Sequence, residues 1–267
     1  INVSRVLKTL DVDSTALGFS GGFPGDFIAQ TLEDSNIQSD FVQVDEDTRI
    51  NVKLKSGQET EINAPGPKVT HAQFEQLLSQ IRRTTNDDIV IVAGSVPNSI
   101  PSDAYAQIAQ ITEKTGAQLV VDAEKDLVET VLPYRPLFIK PNKDELEVMF
   151  NTTVKSDEDV IKYGKEILKK GAQSVIISLG GDGAIYVDQH QSIKAVNPQG
   201  HVVNTVGSGD STVAGMVAGV SMGLNIDEAF QQAVASGTAT AFSEDLATRD
   251  AIENIKSQVT ISVLDGE

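Results

Sequence analysis

Apolar runs alternate with amphipathic stretches along the chain from Asp87 onward. The apolar runs predict strands over residues 89–93, 118–121, 137–140 and 174–178, and the stretches after them predict helices over 102–115, 124–131, 143–150 and 157–170. Strands and helices in alternation form βαβ units, which build a parallel sheet with helices on both faces. The pattern therefore predicts an α/β fold with a mostly parallel central sheet.

Ligands of such sheets bind beyond the carboxyl ends of the strands. The segments that follow those ends are Gly94-Ser95-Val96-Pro97, Asp122-Ala123, Lys140-Pro141-Asn142 and Leu179-Gly180-Gly181. Each of them is a candidate wall of a ligand site.

Short alternating strands interrupt this pattern between about residues 39 and 64. Strands are predicted over 40–44, 48–54 and 59–63, with Ser56-Gly57 as the turn between the last two. A small antiparallel sheet inserted in an α/β domain often serves as a lid or a dimer surface, or it is a structural extension of the sheet edge. The pattern alone leaves both interpretations open.

The two ends of the chain are predicted to be mainly helical. Apolar side chains at Val3, Val6, Leu7 and Leu10 have the spacing of one helix face. No strand precedes this helix, although a doubly wound domain usually begins with one, so we expect an N-terminal piece to be absent. After Asp210 the pattern predicts a helix of small residues and helices over 226–242 and 247–255, followed by a final apolar run over 260–264.

Composition narrows the class of protein. With 267 residues, 40% of them hydrophobic, the chain can bury a substantial core, as one large domain or as a domain plus an appendage. We expect a single domain over residues 1–267 with the lid as an insertion. The sequence has no cysteine, which excludes disulfides and thiolate metal sites and fits a reducing cytoplasm. A formal charge of −17 argues against nucleic acid or an anionic membrane as the partner, and no apolar run is long enough to span a membrane. A small molecule is the expected partner.

The stretch 204–211 is the most suggestive of chemistry. Gly207, Ser208 and Gly209 form a turn that opens a helix, and Asp210 lies in its first turn. Backbone N–H groups at such a helix end could hold charge on a migrating phosphoryl group, while Asp210 receives or orients the attacking hydroxyl. Taken alone, an aspartate or serine at a helix start is usually only a cap, and the loops elsewhere in the chain are what favour the chemical interpretation. Neither the P-loop motif nor a G-x-G-x-x-G that opens a helix occurs, so P-loop kinases and Rossmann dehydrogenases are excluded.

Several polar and glycine-rich loops follow one another along the chain. They are Thr48-Arg49-x-Asn51, Gly94-Ser95-Val96-Pro97, Asn142-Lys143-Asp144-Glu145, Ser178-Leu179-Gly180-Gly181-Asp182-Gly183 and 205–211. In content and order they resemble the loops of the ribokinase-like sugar kinases of the PfkB family, over essentially the whole chain. The resemblance implies a three-layer sandwich with a small antiparallel β lid. Residues 18–25 resemble the first glycine-rich signature of the family, although for Gly18 we favour a tight strand-to-helix turn.

The resemblance also implies residues that bind the sugar phosphate. These are Asn2, Arg49, Asn51, Lys53, Ser95 and Asp210, with Asn2 as the asparagine of a loop whose glycine-lysine portion is not in this sequence. An arginine fork fits phosphate oxygens, yet an arginine on an antiparallel strand is more often a solvated side chain. The loop with Ser95 could equally be an ordinary turn at a strand end.

A second set is implied to bind the nucleotide and its metal. It comprises Lys140, Asn142, Ser178, Leu179, Gly180, Gly181, Asp182, Gly183 and Gly209, with Glu145 as a magnesium ligand acting through water. Plain structural explanations compete, because Asn142 and Glu145 have the spacing of a capping box and the glycines that of a hairpin. Small residues Ala233, Ala235 and Gly237 fit either an adenine pocket or close helix packing.

The closest resemblance is to family members that use ATP and magnesium to phosphorylate fructose 1-phosphate. In that interpretation Asp210 is the catalytic base and Gly207, Ser208 and Gly209 form the anion hole. Kinases of tagatose 6-phosphate or fructose 6-phosphate in the same family would use the same loops. A nucleotide-binding protein without catalysis is a third possibility, whereas a purely structural dimerisation module is disfavoured. The lid strands predict a homodimer.

Overall fold

The computed structural model describes residues 1–56, 58–94 and 96–266, and of residues 53–56, 58–61 and 266 it describes the backbone alone. The helices are α1 Asn2–Thr9, α2 Gly22–Asp34, α3 His71–Ile81, α4 Ala104–Thr115, α5 Lys125–Val131, α6 Lys143–Phe150, α7 Asp157–Lys170, α8 Ser208–Ser221, α9 Ile226–Ala241 and α10 Arg249–Lys256. The strands are β1 Thr15–Ser20, β2 Gln38–Gln43, β3 Val52–Ser56, β4 Gln58–Ile62, β5 Ile89–Ala93, β6 Gln118–Asp122, β7 Phe138–Ile139, β8 Ser174–Ser178, β9 Ala184–Asp188, β10 Gln191–Val196 and β11 Thr260–Gly266.

A seven-stranded sheet with the order β11-β10-β9-β8-β7-β6-β5 forms the centre of the fold. Strands β5 to β8 are parallel, as the βαβ pattern predicts, while β8 to β11 pair antiparallel. The sheet is therefore mixed, and its parallel part is confined to one half. The strand β10 was not predicted, because its apolar positions alternate with polar ones over only six residues.

Helices cover both faces of this sheet, which gives the three layers that the sequence predicts. On one face, Val120, Phe138 and Ile176 pack against α1, α8, α9 and α10. On the other face, Val121 and Ile177 pack against α4 to α7. Alternate residues of each strand enter opposite cores, so the strands are apolar along their whole length.

Helices α8 and α9 approach each other closely through small residues. A Cβ on Gly215 would lie 2.8 Å from the Ala233 Cα, and one on Gly219 would lie 2.7 Å from the Ala229 Cα. A Cβ on Gly237 would collide with the Thr212 side chain. Helix packing therefore accounts for the small residues of α9.

The predicted three-stranded lid is wrong in its first strand. Strand β2 pairs parallel with β1, to which α2 connects it, and forms a separate two-stranded sheet. Val42 and Val44 are buried against α3 and α4, a core contact that a lid strand would not make. Residues 45–51 are not strand, so the antiparallel lid consists of β3 and β4. The predicted turn falls on Gly57, outside the described residues.

The turn assigned to Gly18 is also wrong. Gly18 lies inside β1, opposite Phe41 of β2. The chain turns into α2 two residues later, where Gly22 adopts a φ of +60°. Glycine tolerates this left-handed conformation because it has no Cβ.

Strands β1 and β5 each have one unpaired edge within the described part of the chain. A cavity of about 2150 Å³ lies between them, lined by residues of both strands. The sheet of β1 and β2 is joined to the central sheet by side-chain packing around α3 and α4, where Val42, Phe74 and Ile108 belong to one buried cluster. None of the helices in the described ranges has the length and apolar character that crossing a membrane requires.

Candidate active site

The N-terminus of α8 is built as an open helix end. Gly207 precedes the helix with a φ of +82°, and a Cβ there would lie 2.8 Å from Leu246 Cδ2. The Ser211 N–H donates to the Gly207 carbonyl at 2.8 Å and closes the first helical turn. The N–H groups of Gly209 and Asp210 come before that bond and have no acceptor within the helix. They and the positive helix end favour a bound anion.

Asp210 is held by a residue far away in the sequence. The Asn2 side-chain amide donates to Asp210 Oδ2 at 2.8 Å. Helix α1 places Asn2 there, because Val6 and Leu7 are buried in the core that α8 shares. The contact of Asn2 is thus with the predicted base, whose carboxylate it orients.

A buried ion pair lies beside this helix end. Lys140 Nζ is 3.3 Å from Asp122 Oδ1, and a Cβ on Gly209 would lie 3.3 Å from that Nζ. Burial raises the pKa of the Asp122 carboxyl, against the pull of the Lys140 ammonium. The sequence predicted Asp122 only as part of a segment that lines the ligand site, not as the partner of Lys140. Its position at the end of a buried strand, at the ligand edge of the sheet, was the available signal. Lys140 has a place next to the predicted anion hole.

A cleft of about 710 Å³ brings several of the predicted residues together. Arg49, Glu145 and Asp210 line it together with Asp122 and the loop residues Gly94 and Pro97. The cleft is strongly acidic, so an anionic substrate needs Arg49, Lys140 and the α8 helix end, or a metal cation, to enter it.

Asn142 and Glu145 form a full capping box at the start of α6. The Glu145 N–H donates to Asn142 Oδ1 at 2.8 Å, and the Asn142 N–H donates to Glu145 Oε2 at 2.8 Å. The structural explanation is therefore correct, and Glu145 also faces the cleft. No group of three or more acidic or histidine side chains in the described residues could hold a metal ion by itself. The donors fit magnesium that keeps its waters and phosphate ligands and touches few protein oxygens.

The loop 178–183 connects β8 to β9 as a hairpin. The Leu179 N–H donates to the Gly183 carbonyl at 2.8 Å, and a Cβ on Gly183 would collide with the Ala195 carbonyl, so the hairpin requires this glycine. A Cβ on Gly180 or Gly181 would meet only open space. Gly180 has a φ of +61°, a left-handed conformation that favours glycine, whereas the fold gives no reason for Gly181. Both positions leave room for a ligand to approach the backbone.

Two residues that the sequence did not single out hold this loop. Asn197 donates from its amide to the Gly180 carbonyl at 3.0 Å and accepts from the Thr238 hydroxyl at 2.9 Å. Thr238 thereby links the loop to α9. Neither residue belongs to a motif, so only the folded structure identifies them.

One predicted substrate residue is not among those that line the cleft, and two others fall where the structure describes no side chain. Ser95 lies outside the described residues. Lys53 lies opposite Glu61 in the lid, where only the backbone is described. The Asn51 side chain accepts from the Ala64 N–H at 3.2 Å and is not among the residues that line the cleft.

Phosphoryl transfer asks a protein mainly for position and for charges that stabilise the moving group. Asp210 lines the cleft at the α8 helix end, and Lys140 lies beside that helix end, so groups that could supply both lie close together. Groups of this kind are what a phosphotransferase requires.

Comparisons with known proteins give the family. The profile of pfkB family carbohydrate kinases matches residues 1–251, and the chain belongs to that family. It is 43% identical over 264 residues to the 1-phosphofructokinase of Bacillus subtilis, a match that covers 99% of this chain and 87% of that protein. It is 37% identical over 265 residues to the D-tagatose-1-phosphate kinase of Bacillus licheniformis, with 99% and 87% covered. A crystal structure from Staphylococcus aureus, provisionally named a phosphofructokinase, superposes with a TM-score of 0.93 at 81% identity and covers 100% of this chain and 87% of that one.

Proposed function

We propose that the chain transfers the γ-phosphoryl group of ATP to the 6-hydroxyl of fructose 1-phosphate. The observation that carries the proposal is the position of Asp210. Its carboxylate is oriented by Asn2, it lies in the first turn of α8, and it shares one cleft with Arg49. The 1-phosphofructokinase of Bacillus subtilis, at 43% identity, supports the choice of substrate.

Asp210 accepts the proton of the 6-hydroxyl as the oxygen attacks the γ-phosphorus. The new O6–P bond forms while the bond from that phosphorus to the β–γ bridging oxygen breaks, and ADP leaves with the electron pair. The N–H groups of Gly209 and Asp210 stabilise the charge on the phosphoryl oxygens. Lys140 adds a positive charge beside them, and Arg49 binds the 1-phosphate at the other side of the cleft.

Glu145, through water, and Asp122 are the carboxylates we assign to magnesium that accompanies ATP. When bound, magnesium would neutralise charge on the β- and γ-phosphates. The loop around Gly180 and Gly181 accommodates the nucleotide, because no side chain blocks its backbone.

A second substrate is supported by the relative from Bacillus licheniformis, which is named a D-tagatose-1-phosphate kinase. Tagatose 1-phosphate differs from fructose 1-phosphate only in the configuration at C4, so both present the same phosphate to Arg49. The geometry of the cleft favours neither sugar.

ADP release distinguishes these proposals. The protein is assayed with ATP and magnesium and with fructose 1-phosphate, tagatose 1-phosphate, fructose 6-phosphate or tagatose 6-phosphate. We expect the highest kcat/KM with fructose 1-phosphate. Preference for a 6-phosphate would overturn the assignment of Arg49 to the 1-phosphate, and ATP binding without turnover on any of the four would indicate a nucleotide-binding protein.

We also propose that the lid forms a homodimer interface. Val52 and Ile62 are paired across β3 and β4, lie on one face of the lid and are exposed. Ile50, just before the lid, is exposed as well. Three adjacent exposed apolar side chains on a small sheet favour a protein partner, and a second copy of the chain is our proposal.

A further inference from the structure

The glycine-rich segment 18–25 has no part in the chemistry proposed above. Three of its glycines nevertheless contact one other segment of the chain. A Cβ on Gly21 would collide with the carbonyls of Val44 and Glu46, and a Cβ on Gly22 would collide with the Asp47 side chain. These glycines therefore serve the close approach of residues 44–48.

Gly25 completes this surface. A Cβ there would lie 3.2 Å from Thr48 Oγ1 and 3.1 Å from Ser20 Cβ, which is tighter than ordinary contact. We call Gly21, Gly22 and Gly25 the glycine seat. All three are at or near the N-terminus of α2, an element anchored by β1 and β2.

Hydrogen bonds fix the segment on the glycine seat at both of its ends. The Val44 N–H donates to the Ser20 carbonyl at 2.9 Å. At the other end, the Thr48 N–H donates to the Gly21 carbonyl at 2.8 Å, and the Gly21 N–H donates to Thr48 Oγ1 at 3.0 Å. Thr48 is thus bound to Gly21 twice, once through its side chain.

Arg49 is the next residue in the chain and lines the cleft that contains Asp210. Residues 45–51 belong to no strand or helix, so no ladder of backbone bonds holds Arg49 in place. In the described part of the chain, the two hydrogen bonds between Thr48 and Gly21 fix the backbone immediately before Arg49.

We infer that Thr48 is a positioning residue, which the glycine seat holds so that the Arg49 guanidinium is presented to the phosphate of the sugar. The inference rests on the proposed function, because it takes Arg49 as the ligand of that phosphate. It gives the glycine-rich segment a role in the recognition of the sugar phosphate. Positioning lowers the entropy that a long side chain loses on binding a ligand.

The test compares Thr48→Val, which keeps the shape and loses the hydroxyl, with Thr48→Ser, which keeps the hydroxyl. We expect Thr48→Val to raise the KM for fructose 1-phosphate about tenfold, the effect of one lost hydrogen bond. The KM for ATP should change less than about twofold, and Thr48→Ser should restore most of the affinity. Thr31→Val is the matched control, because it removes an exposed hydroxyl from α2, the helix whose N-terminal end carries the glycine seat.

A double-mutant cycle shows whether Thr48 acts through Arg49. In an Arg49→Gln background, Thr48→Val should add little to the rise in KM, because the residue to be positioned is gone. Additive effects of the two substitutions would overturn the inference. Equal rises in both KM values, with no rescue by Thr48→Ser, would reduce Thr48 to a merely structural residue and overturn it as well.

Amide hydrogen exchange separates this inference from the proposed function. Thr48→Val should speed exchange at Gly21 and Thr48, while Thr31→Val should not. If Thr48→Val speeds exchange at these amides but the wild-type protein turns over none of the four sugar phosphates, the glycine seat stands and the proposed function is refuted. Unchanged exchange at both amides would refute the seat, whatever the activity.

Discussion

Asp210 is the base in the proposed reaction, and a substitution that replaces one of its carboxylate oxygens tests this role. Asp210→Asn keeps the size of the side chain and the bond to Asn2 through its oxygen, but it cannot take a proton. We expect kcat to fall by about 10²–10⁴, the range for a general base, with KM values changed only a few-fold. Steady-state ADP release measures both. Near-normal turnover would contradict the assignment of the base.

Lys140 has a structural duty in addition to its place beside the anion hole. Its ammonium neutralises Asp122, and both side chains are largely buried, at 8% and 19% exposure. Lys140→Met should lower the free energy of unfolding at neutral pH by about 3 kcal/mol, because it leaves a buried carboxylate without a partner. Denaturant unfolding measures this loss, and Lys143→Met, at an exposed position of α6, is the control.

The loss caused by Lys140→Met should depend on pH. Burial already raises the pKa of Asp122, and removal of the ammonium raises it further. A carboxyl whose pKa is higher in the folded than in the unfolded chain binds its proton more tightly when folded. The variant should therefore lose stability as the pH rises above the unfolded value of about 4, and its deficit should shrink toward acid pH. A deficit that is the same from pH 4 to 8 would contradict this explanation.

At the scale of elements, the contact of α8 with α9 sets the position of the site. Gly215→Ala should destabilise the protein by about 1–2 kcal/mol, because the new methyl group forces two backbones apart and better helix propensity offsets only part of the cost. Thermal and denaturant unfolding measure the change, with Ser221→Ala at the exposed end of α8 as control. If Gly215→Ala is as stable as the wild type, the two helices do not pack as closely as described.

Elements with a strong local pattern could be predicted from the sequence, and those defined by distant partners could not. Strands β5 to β8 are apolar on both faces, and α1 has one clear apolar face, so the periodicity identifies them. Strand β2 alternates like a lid strand, and only its parallel pairing with β1 and its burial under α3 show where it belongs.

The same distinction holds for the site. Residues such as Asp210 and Glu145 could be named as candidates, because each belongs to a short motif that is recognisable from a few neighbouring residues. Asn2 and Lys140 could also be named as candidates, but the short motifs do not show that Asn2 bonds to Asp210 or that Lys140 pairs with Asp122. The role of Thr48 likewise depends on a contact with Gly21, 27 positions away.

At the scale of the whole molecule, the first helix is tied to the last part of the fold. Arg5 donates to both carboxylate oxygens of Asp245, and Arg249 pairs with Asp11. The bonds from Arg5 lower the pKa of Asp245. These exposed pairs contribute little stability each, but both join α1 and the residues just after it to the segment 245–249.

The assembly of the molecule provides the last prediction. If the lid is a homodimer interface, Ile62→Lys should convert the dimer to a monomer, because a lysine at the centre of an apolar interface loses its hydration without gaining a partner. Light scattering coupled to size-exclusion chromatography measures the mass. Val263→Lys is the control, since it places the same charge on an exposed apolar position of β11, away from the lid. A monomeric wild type, or a dimer that survives Ile62→Lys, would show that the exposed face of the lid has another purpose.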